Sequence, residues 1–216
     1  MPNRNVSNVR IALAGTAVAV ALAGCAGSMT PGPSDAEARA KALELMKAGF
    51  NERGIAKMDR LTQDETQALC SQYAGGTLPK DVAAKIEKAN MASIKPPSDG
   101  KYLGDWKRGE QIAQRGTGFQ YSDTKDTPVG GNCYACHQLT KAEISYGTIG
   151  PSLYNFGKIR GFTPEMQQYA WGKVWNTQAY SACSFMPRFG HAGVLTEAQI
   201  KDVVALLMDP GSPVNQ

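Results

Sequence analysis

The chain opens with an uncharged apolar run at residues 11–24, IALAGTAVAVALAG, preceded by Arg4 and Arg10 and by no acidic residue. A basic start, a short apolar run and small residues before a break are typical of a secretory signal. The run is too short for a membrane span, which needs about 20 apolar residues. We therefore predict a signal peptide over residues 1–24 and an exported mature chain.

Later apolar positions follow a helical period. After Thr196, a good N-cap, the apolar residues Ile200, Val203, Val204 and Leu207 recur at helical spacing. Other segments with helical patterns are 36–50, 78–94, 105–116 and 163–175. These patterns predict an all-α fold.

Two of these helical patterns lie before residue 100, where no stretch has the apolar density of an independent core. We therefore predict a linker and helical extension over residues 25–100 and one main domain over residues 101–216. The extension is expected to pack on that domain or on a partner. The formal net charge of +4 is small for this length, so nothing indicates nucleic-acid binding or a polybasic membrane patch.

Candidate chemistry is concentrated in GGNCYACHQL, where Cys133 and Cys136 precede His137 in a C-x-x-C-H motif. This pattern is typical of c-type haem attachment, because each thiol can form a thioether and the adjacent imidazole can bind the iron. Zinc would need two further ligands nearby, and downstream only the distant Cys183 and His191 remain. A thioredoxin-like motif would follow an apolar strand, whereas glycines precede this one. We predict one covalently bound haem c.

The second axial ligand has four candidates after His137, namely Met166, Met186, Met208 and His191. Met186 precedes a proline in a non-helical segment, 49 residues after His137, so the chain can wrap around the haem. Met166 and Met208 lie in helical patterns and are predicted core residues. His191 is either an alternative ligand or a loop residue near the haem edge. Ligation by His137 and Met186 would fill both axial positions and favour ferrous iron.

The remaining cysteines suggest two modifications. Cys25 ends LAGC, the pattern at which bacterial lipoproteins are lipidated and cleaved, and a lipid there would tether the chain without spanning the membrane. The alternative is ordinary cleavage near Ala26 or Ser28, which discards Cys25. In an oxidising compartment, Cys70 and Cys183 can form a disulfide that joins the extension to the Met186 segment. Alternatively, they are separate thiols.

The segment Gly150–Leu153 resembles one in class I c-type cytochromes that lies beneath the proximal histidine. The resemblance implies that the Pro151 carbonyl accepts a hydrogen bond from His137 and that Arg160 meets a haem propionate. The alternative is a plain surface loop, which the glycine-rich stretch 146–161 also predicts.

Five longer stretches together resemble the SoxX family of monohaem c-type cytochromes. They are GNCYACH, EISYGTIGPSLYNFGKIRG, MQQYAWGKVWN, CSFMPRFGHAGVLTEAQIKDVVALLMDPGSPVN and DGKYLGDWKRGE. The resemblance spans residues 78–215 and includes Cys133, Cys136, His137 and Met186. The long amino-terminal part and the lipidation motif depart from the family.

This resemblance implies a class I cytochrome c-like haem domain and a heterodimer with a SoxA-like cytochrome subunit that carries one or two haems. Such a pair is an L-cysteine S-thiosulfotransferase, which oxidatively couples thiosulfate to a cysteine of a carrier protein. This chain would be its electron-transfer subunit, not catalytic alone, and would pass electrons to a further cytochrome c. The aromatic segment 166–175 would either face the partner or pack in the core.

Two other functions remain open. The chain could be a free-standing, lipid-anchored electron shuttle to a terminal oxidase. A haem-based sensor or binding module would instead need a vacant axial position. We expect the mature protein in the periplasm, anchored by lipid to the periplasmic face of the outer membrane and touching the membrane in no other way.

Overall fold

A computed structural model describes residues 34–216, so the predicted signal peptide, Cys25 and most of the following linker lie outside the described residues. Within 34–216 the regular structure consists of α-helices and 3₁₀ turns without a β-strand, which confirms the predicted all-α class. The helices are α1 Asp35–Gly49, α2 Glu65–Gln72, α3 Lys80–Ala92, α4 Trp106–Gln114, α5 Phe156–Arg160, α6 Pro164–Trp175 and α7 Glu197–Met208. The 3₁₀ turns are Met58–Leu61, Cys133–Ala135, Thr177–Ala179 and Pro213–Asn215.

Residues 43–216 form one compact unit, and residues 34–42 are the described part of a second unit. Helix α1 has no buried residue, and its Leu45 and Met46 side chains are 60% and 52% exposed. No helix of the described chain is both long enough and apolar enough to cross a membrane.

The helices of the carboxyl-terminal part begin where their caps predict. The Thr163 side chain accepts a hydrogen bond from the Met166 N–H at the start of α6. Thr196 and Gln199 form a reciprocal capping box at the start of α7. These side chains satisfy N–H groups that have no partner within their own helix.

Helices α4 and α7 cross at Gly109. A Cβ there would lie 2.1 Å from the carbonyl oxygen of Asp202 and 3.0 Å from Leu206 Cβ, so only glycine permits this approach. The buried carboxylate of Asp202 accepts from Arg108 Nε at 2.8 Å and from the Asp105 N–H at 2.8 Å. The crossing is therefore fixed by packing and by a charged hydrogen-bond pair.

Residues 43–100, the part of the extension that belongs to the compact unit, pack against α6. Trp171 is 1% exposed, and its indole N–H donates to the Lys95 carbonyl oxygen at 2.9 Å. Ile86 of α3 is also 1% exposed. Trp171 is therefore a core residue and offers no surface to a partner.

Two helices depart from the sequence prediction. Helix α5 lies inside the stretch 146–161, which was expected to be a loop. Hydrogen bonds to residues near the carboxyl terminus stabilise this short helix. The Asn155 N–H donates to the Val214 carbonyl at 2.8 Å, and the Gly157 N–H donates to Asn215 Oδ1 at 3.0 Å. Helix α2 lies in a region predicted to contain only turns, and like α1 it has no buried residue.

Candidate functional site

One tight turn brings Cys133, Cys136 and His137 together. Asn132, at φ 47°, precedes the 3₁₀ turn Cys133–Ala135, and asparagine tolerates this left-handed backbone. The N–H groups of Cys136 and His137 both donate to the Cys133 carbonyl oxygen, at 3.1 and 2.9 Å. Two thiols and an imidazole thus project from the same turn of the backbone. This arrangement suits two thioether bonds to haem and one ligand to its iron.

The turn is fixed to the end of α4. The Gly131 N–H donates to the Ile112 carbonyl at 2.8 Å, and the Asn132 N–H donates to the Arg115 carbonyl at 2.9 Å. A Cβ on Gly130 would lie 2.0 Å from that same Arg115 oxygen, so the close approach requires glycine. The packing of α4 therefore determines where the motif lies.

The two motif cysteines are free thiols. Burial raises the pKa of the Cys133 thiol to about 12, which keeps it neutral. Because the pair is not joined in a disulfide, both sulfurs are available for thioether bonds to haem. Within residues 34–216 no three His, Cys, Asp or Glu side chains gather as a metal site.

The loop before α5 orients His137. Its Nδ1 lies 2.7 Å from the Pro151 carbonyl oxygen. With Nδ1 as the donor, Nε2 keeps a lone pair for a metal ion. A Cβ on Gly150 would lie 2.1 Å from Cε1 of the imidazole, so this backbone supports the ring directly. The arrangement fits a proximal haem ligand.

Arg160 lies with a second cation on aromatic side chains. Its Cζ is 5.3 Å from the Phe156 ring centroid and 5.9 Å from that of Tyr169. Lys173 Nζ lies 5.8 Å from the Tyr169 centroid and 5.1 Å from that of Tyr180. Burial, together with the nearby Arg160 charge, lowers the pKa of Lys173. A carboxylate ligand such as a haem propionate would stabilise this pair of like charges.

Met186 is half-buried, packs against the hydrophobic core and lies outside any helix. Its neighbour Phe185 is 94% exposed. Met166 in α6 packs against the core, and Met208 in α7 is 1% exposed, as their predicted core roles require. Of these three methionines, Met186 is the one that lies outside a helix.

His191 lines a cavity that the C-x-x-C-H motif does not reach. It lines a cavity of about 380 Å³ together with Trp175, whereas Cys133 and His137 do not line that cavity. Its pKa is lowered by burial and by Arg188. The indole N–H of Trp175 is buried without a hydrogen-bond partner among the described residues.

A disulfide joins Cys70 in α2 to Cys183, with the two Cα atoms 5.4 Å apart at a sequence separation of 113. Cys183 precedes Met186 by three residues. The extension is therefore covalently attached to the segment that carries the candidate ligand.

Sequence reasoning missed three polar residues of the extension that contact this same segment, Asp64, Glu87 and Asn90. Only Asp64 carried a local signal, since its side chain accepts from the Gln67 N–H at 2.8 Å as the N-cap of α2. Nothing in the sequence indicates the distant partners of the other two.

This chain is similar to a protein family, to a curated relative and to a solved structure. The family model for cytochrome c matches residues 118–209. A protein of Aquifex aeolicus (strain VF5), described as an uncharacterized lipoprotein, is 38% identical over 156 residues, covering 71% of this chain and 73% of that protein. The crystal structure of SoxXA from P. pantotrophus contains a chain that is 25% identical, with 55% of this chain and 90% of that chain covered at a TM-score of 0.37.

Proposed function

Since this chain belongs to the cytochrome c family, has a class I cytochrome c fold and binds haem c for electron transfer, we propose that it is a SoxX-type subunit. In this role it pairs with a SoxA-like cytochrome, and the pair couples thiosulfate oxidatively to a cysteine of a carrier protein. The pair is an L-cysteine S-thiosulfotransferase, and this chain supplies its electron transfer.

The hydrogen bond between His137 and Pro151 is the observation that carries the electron-transfer role. The 2.7 Å contact engages Nδ1 with the Pro151 carbonyl, and Nδ1 as donor leaves Nε2 with a lone pair for the iron. Haem c supplies an iron that takes up and releases one electron. Cys133 and Cys136 would attach it, and His137 and Met186 would bind its iron. With both of these ligands bound, the lone chain would have no iron site for substrate.

The stoichiometry of the reaction explains why a partner is required. Joining thiosulfate to a thiol forms one S–S bond, releases the thiol proton and yields two electrons. A chain with one haem accepts these one at a time, so a second redox centre must lie in the complex. The partner's haem meets this need, and a further cytochrome c accepts the electrons from this chain. The motif resemblance over residues 78–215 supports the choice of thiosulfate.

Reconstitution tests this function. Each subunit alone and the two together are incubated with thiosulfate, the carrier protein and an acceptor cytochrome, and conjugated carrier is measured by mass. We expect conjugation only with both chains. Full activity from the partner alone would remove this chain from the reaction, and turnover by this chain alone would contradict the filled axial positions.

A lipid anchor at Cys25 forms part of the proposal, and the lipoprotein relative supports it. The anchor would hold the protein at the periplasmic face of the outer membrane. It also favours the second candidate function, a free-standing shuttle to a terminal oxidase, which would transfer electrons without the partner. Detergent phase partition tests the anchor: the mature protein should enter the detergent phase, and Cys25→Ser should return it to the aqueous phase.

A further inference from the structure

We propose that the amino-terminal extension is a clamp that positions Met186, acting through four contacts with residues 176–188, here called the ligand segment. This inference rests on the assignment of Met186 as an iron ligand in the proposed function. It assigns a role to the extension, which a minimal haem domain does not require.

The ligand segment has little regular structure of its own. Beyond the 3₁₀ turn Thr177–Ala179, it is a chain of bends. Cys183 has φ 59°, in the left-handed region, which is unfavourable for a residue with a Cβ and persists where the surroundings hold it. Gln178 makes local bonds, accepting from the Cys183 N–H and donating to the Ser184 carbonyl at 2.9 Å. Other contacts must hold the segment in place.

Two of the four clamp contacts are hydrogen bonds that side chains of α3 accept from the ligand segment. Asn176 Nδ2 donates to Asn90 Oδ1 at 2.8 Å, and both residues are buried. Asn90 in turn donates to the Ile86 carbonyl of its own helix at 2.8 Å, which fixes the amide. Further along, Glu87 Oε1 accepts from the Ala182 N–H at 3.1 Å. Helix α3 is thus hydrogen-bonded to the start and to the middle of the ligand segment.

The other two contacts lie on either side of Met186. The Cys70–Cys183 disulfide is three residues before it. The Arg188 guanidinium, two residues after it, is 2.5 Å from Asp64 Oδ2, and the Arg188 side chain is 11% exposed. Met186 therefore lies between a covalent bond and an ion pair whose arginine side chain is largely buried and whose aspartate is 42% exposed.

Met186 packs against the hydrophobic core, but its own hydrogen bond stays within the ligand segment. Its N–H lies 3.3 Å from Ser184 Oγ, a contact within the segment, and its neighbour Phe185 is 94% exposed. Ordering an unheld segment would cost conformational entropy whenever the sulfur bound, and a preformed segment avoids that cost. The clamp contacts therefore keep the thioether in position for the iron.

The test compares the holoprotein with two clamp variants, the double variant Cys70→Ser/Cys183→Ser and the single variant Glu87→Ala. The matched control is Lys85→Ala, because Lys85 pairs with Glu65 at 2.8 Å on the exposed surface of the extension. Three quantities are measured: the sulfur-to-iron charge-transfer band of the ferric protein, the reduction potential and amide hydrogen exchange at residues 182 and 183.

We expect exchange at these amides to become about tenfold faster in both clamp variants, because local opening becomes easier. The charge-transfer band should weaken and the potential should fall, while Lys85→Ala matches wild type in all three. Glu87→Ala keeps the disulfide, so it remains informative if the double variant folds poorly.

The outcomes separate the two assignments. A wild-type protein without the band would overturn Met186 as a ligand, and the clamp with it. A wild-type band that persists unchanged in both clamp variants, even with faster exchange or lower stability, would overturn the clamp alone.

Discussion

Replacing Gly150 with alanine tests the support beneath His137. The backbone at Gly150 does not lie in the left-handed region, so alanine meets no backbone penalty there. The added Cβ would, however, lie 2.1 Å from Cε1 and 2.5 Å from Nδ1 of the imidazole. The substitution therefore creates a steric clash with one functional side chain, the imidazole of His137.

The size of the effect follows from these distances. Carbon atoms in contact lie about 3.5–4.0 Å apart, so the imidazole must retreat by roughly 1.5 Å. The 2.7 Å bond to the Pro151 carbonyl cannot survive that displacement. Overpacking and one lost hydrogen bond together cost about 2–4 kcal/mol. For a chain of this size the melting temperature should fall by roughly 4–16 °C.

The assay is thermal unfolding of the holoprotein, combined with the haem absorption spectrum as a report on the proximal ligand. Gly76→Ala is the matched control, because a Cβ there would meet only the Tyr73 carbonyl oxygen, at 3.8 Å. We expect the control to resemble wild type and Gly150→Ala to lose stability and change its spectrum. An unchanged melting temperature and spectrum in Gly150→Ala would refute the contact between this loop and His137.

Three further predictions follow from other parts of the structure. Gly109→Ala should destabilise the protein by about 1–3 kcal/mol in urea unfolding, because its Cβ would meet the Asp202 backbone, and wild-type stability would contradict the helix crossing. Met186→Ala should abolish the sulfur-to-iron band and lower the reduction potential while Met166→Leu changes neither, and the reverse result would move the ligand to Met166. Burial, reinforced by the charge of Arg188, holds the pKa of His191 below its ordinary 6.5, so on acidification the unfolded chain takes up this proton first. The wild-type protein should then lose stability as the pH falls below about 6.5, and the His191→Gln variant should lose less. Chemical unfolding at several pH values measures both losses. An equal loss in the two proteins would assign the effect to another group.

The elements that the sequence predicted are those whose signals are local. Helix α7 combines a capping box at Thr196 with apolar residues at helical spacing, and α6 begins at Thr163 and Pro164 as expected. Helix α5 escaped prediction because it has five residues and depends on partners near residue 215. Helix α2 escaped because it buries nothing and so lacks an apolar period.

The residues of the candidate site also divide into those with a local sequence signal and those that depend on distant partners. Cys133, Cys136 and His137 are recognisable because the chemistry of thioether formation requires their spacing. The contacts that hold the ligand segment join residues far apart in sequence, such as Asn90 and Asn176 at a separation of 86. Asparagine and glutamate on a helix are ordinarily solvated, so their composition gives no sign of a buried partner.

Asn215 extends this reasoning to the proximal side of the site. It is fully buried, and its Nδ2 donates to the carbonyls of Leu207 at 3.1 Å and Asp209 at 2.9 Å. Its Oδ1 accepts from the Gly157 N–H at 3.0 Å. One side chain thereby satisfies carbonyls at the end of α7 and an N–H in the first turn of α5, groups that helix ends leave without partners. Because α5 begins five residues after Pro151, this junction anchors the far end of the loop whose carbonyl orients His137. The loop that orients His137 is therefore supported at its far end by a residue that lies outside the haem-attachment motif.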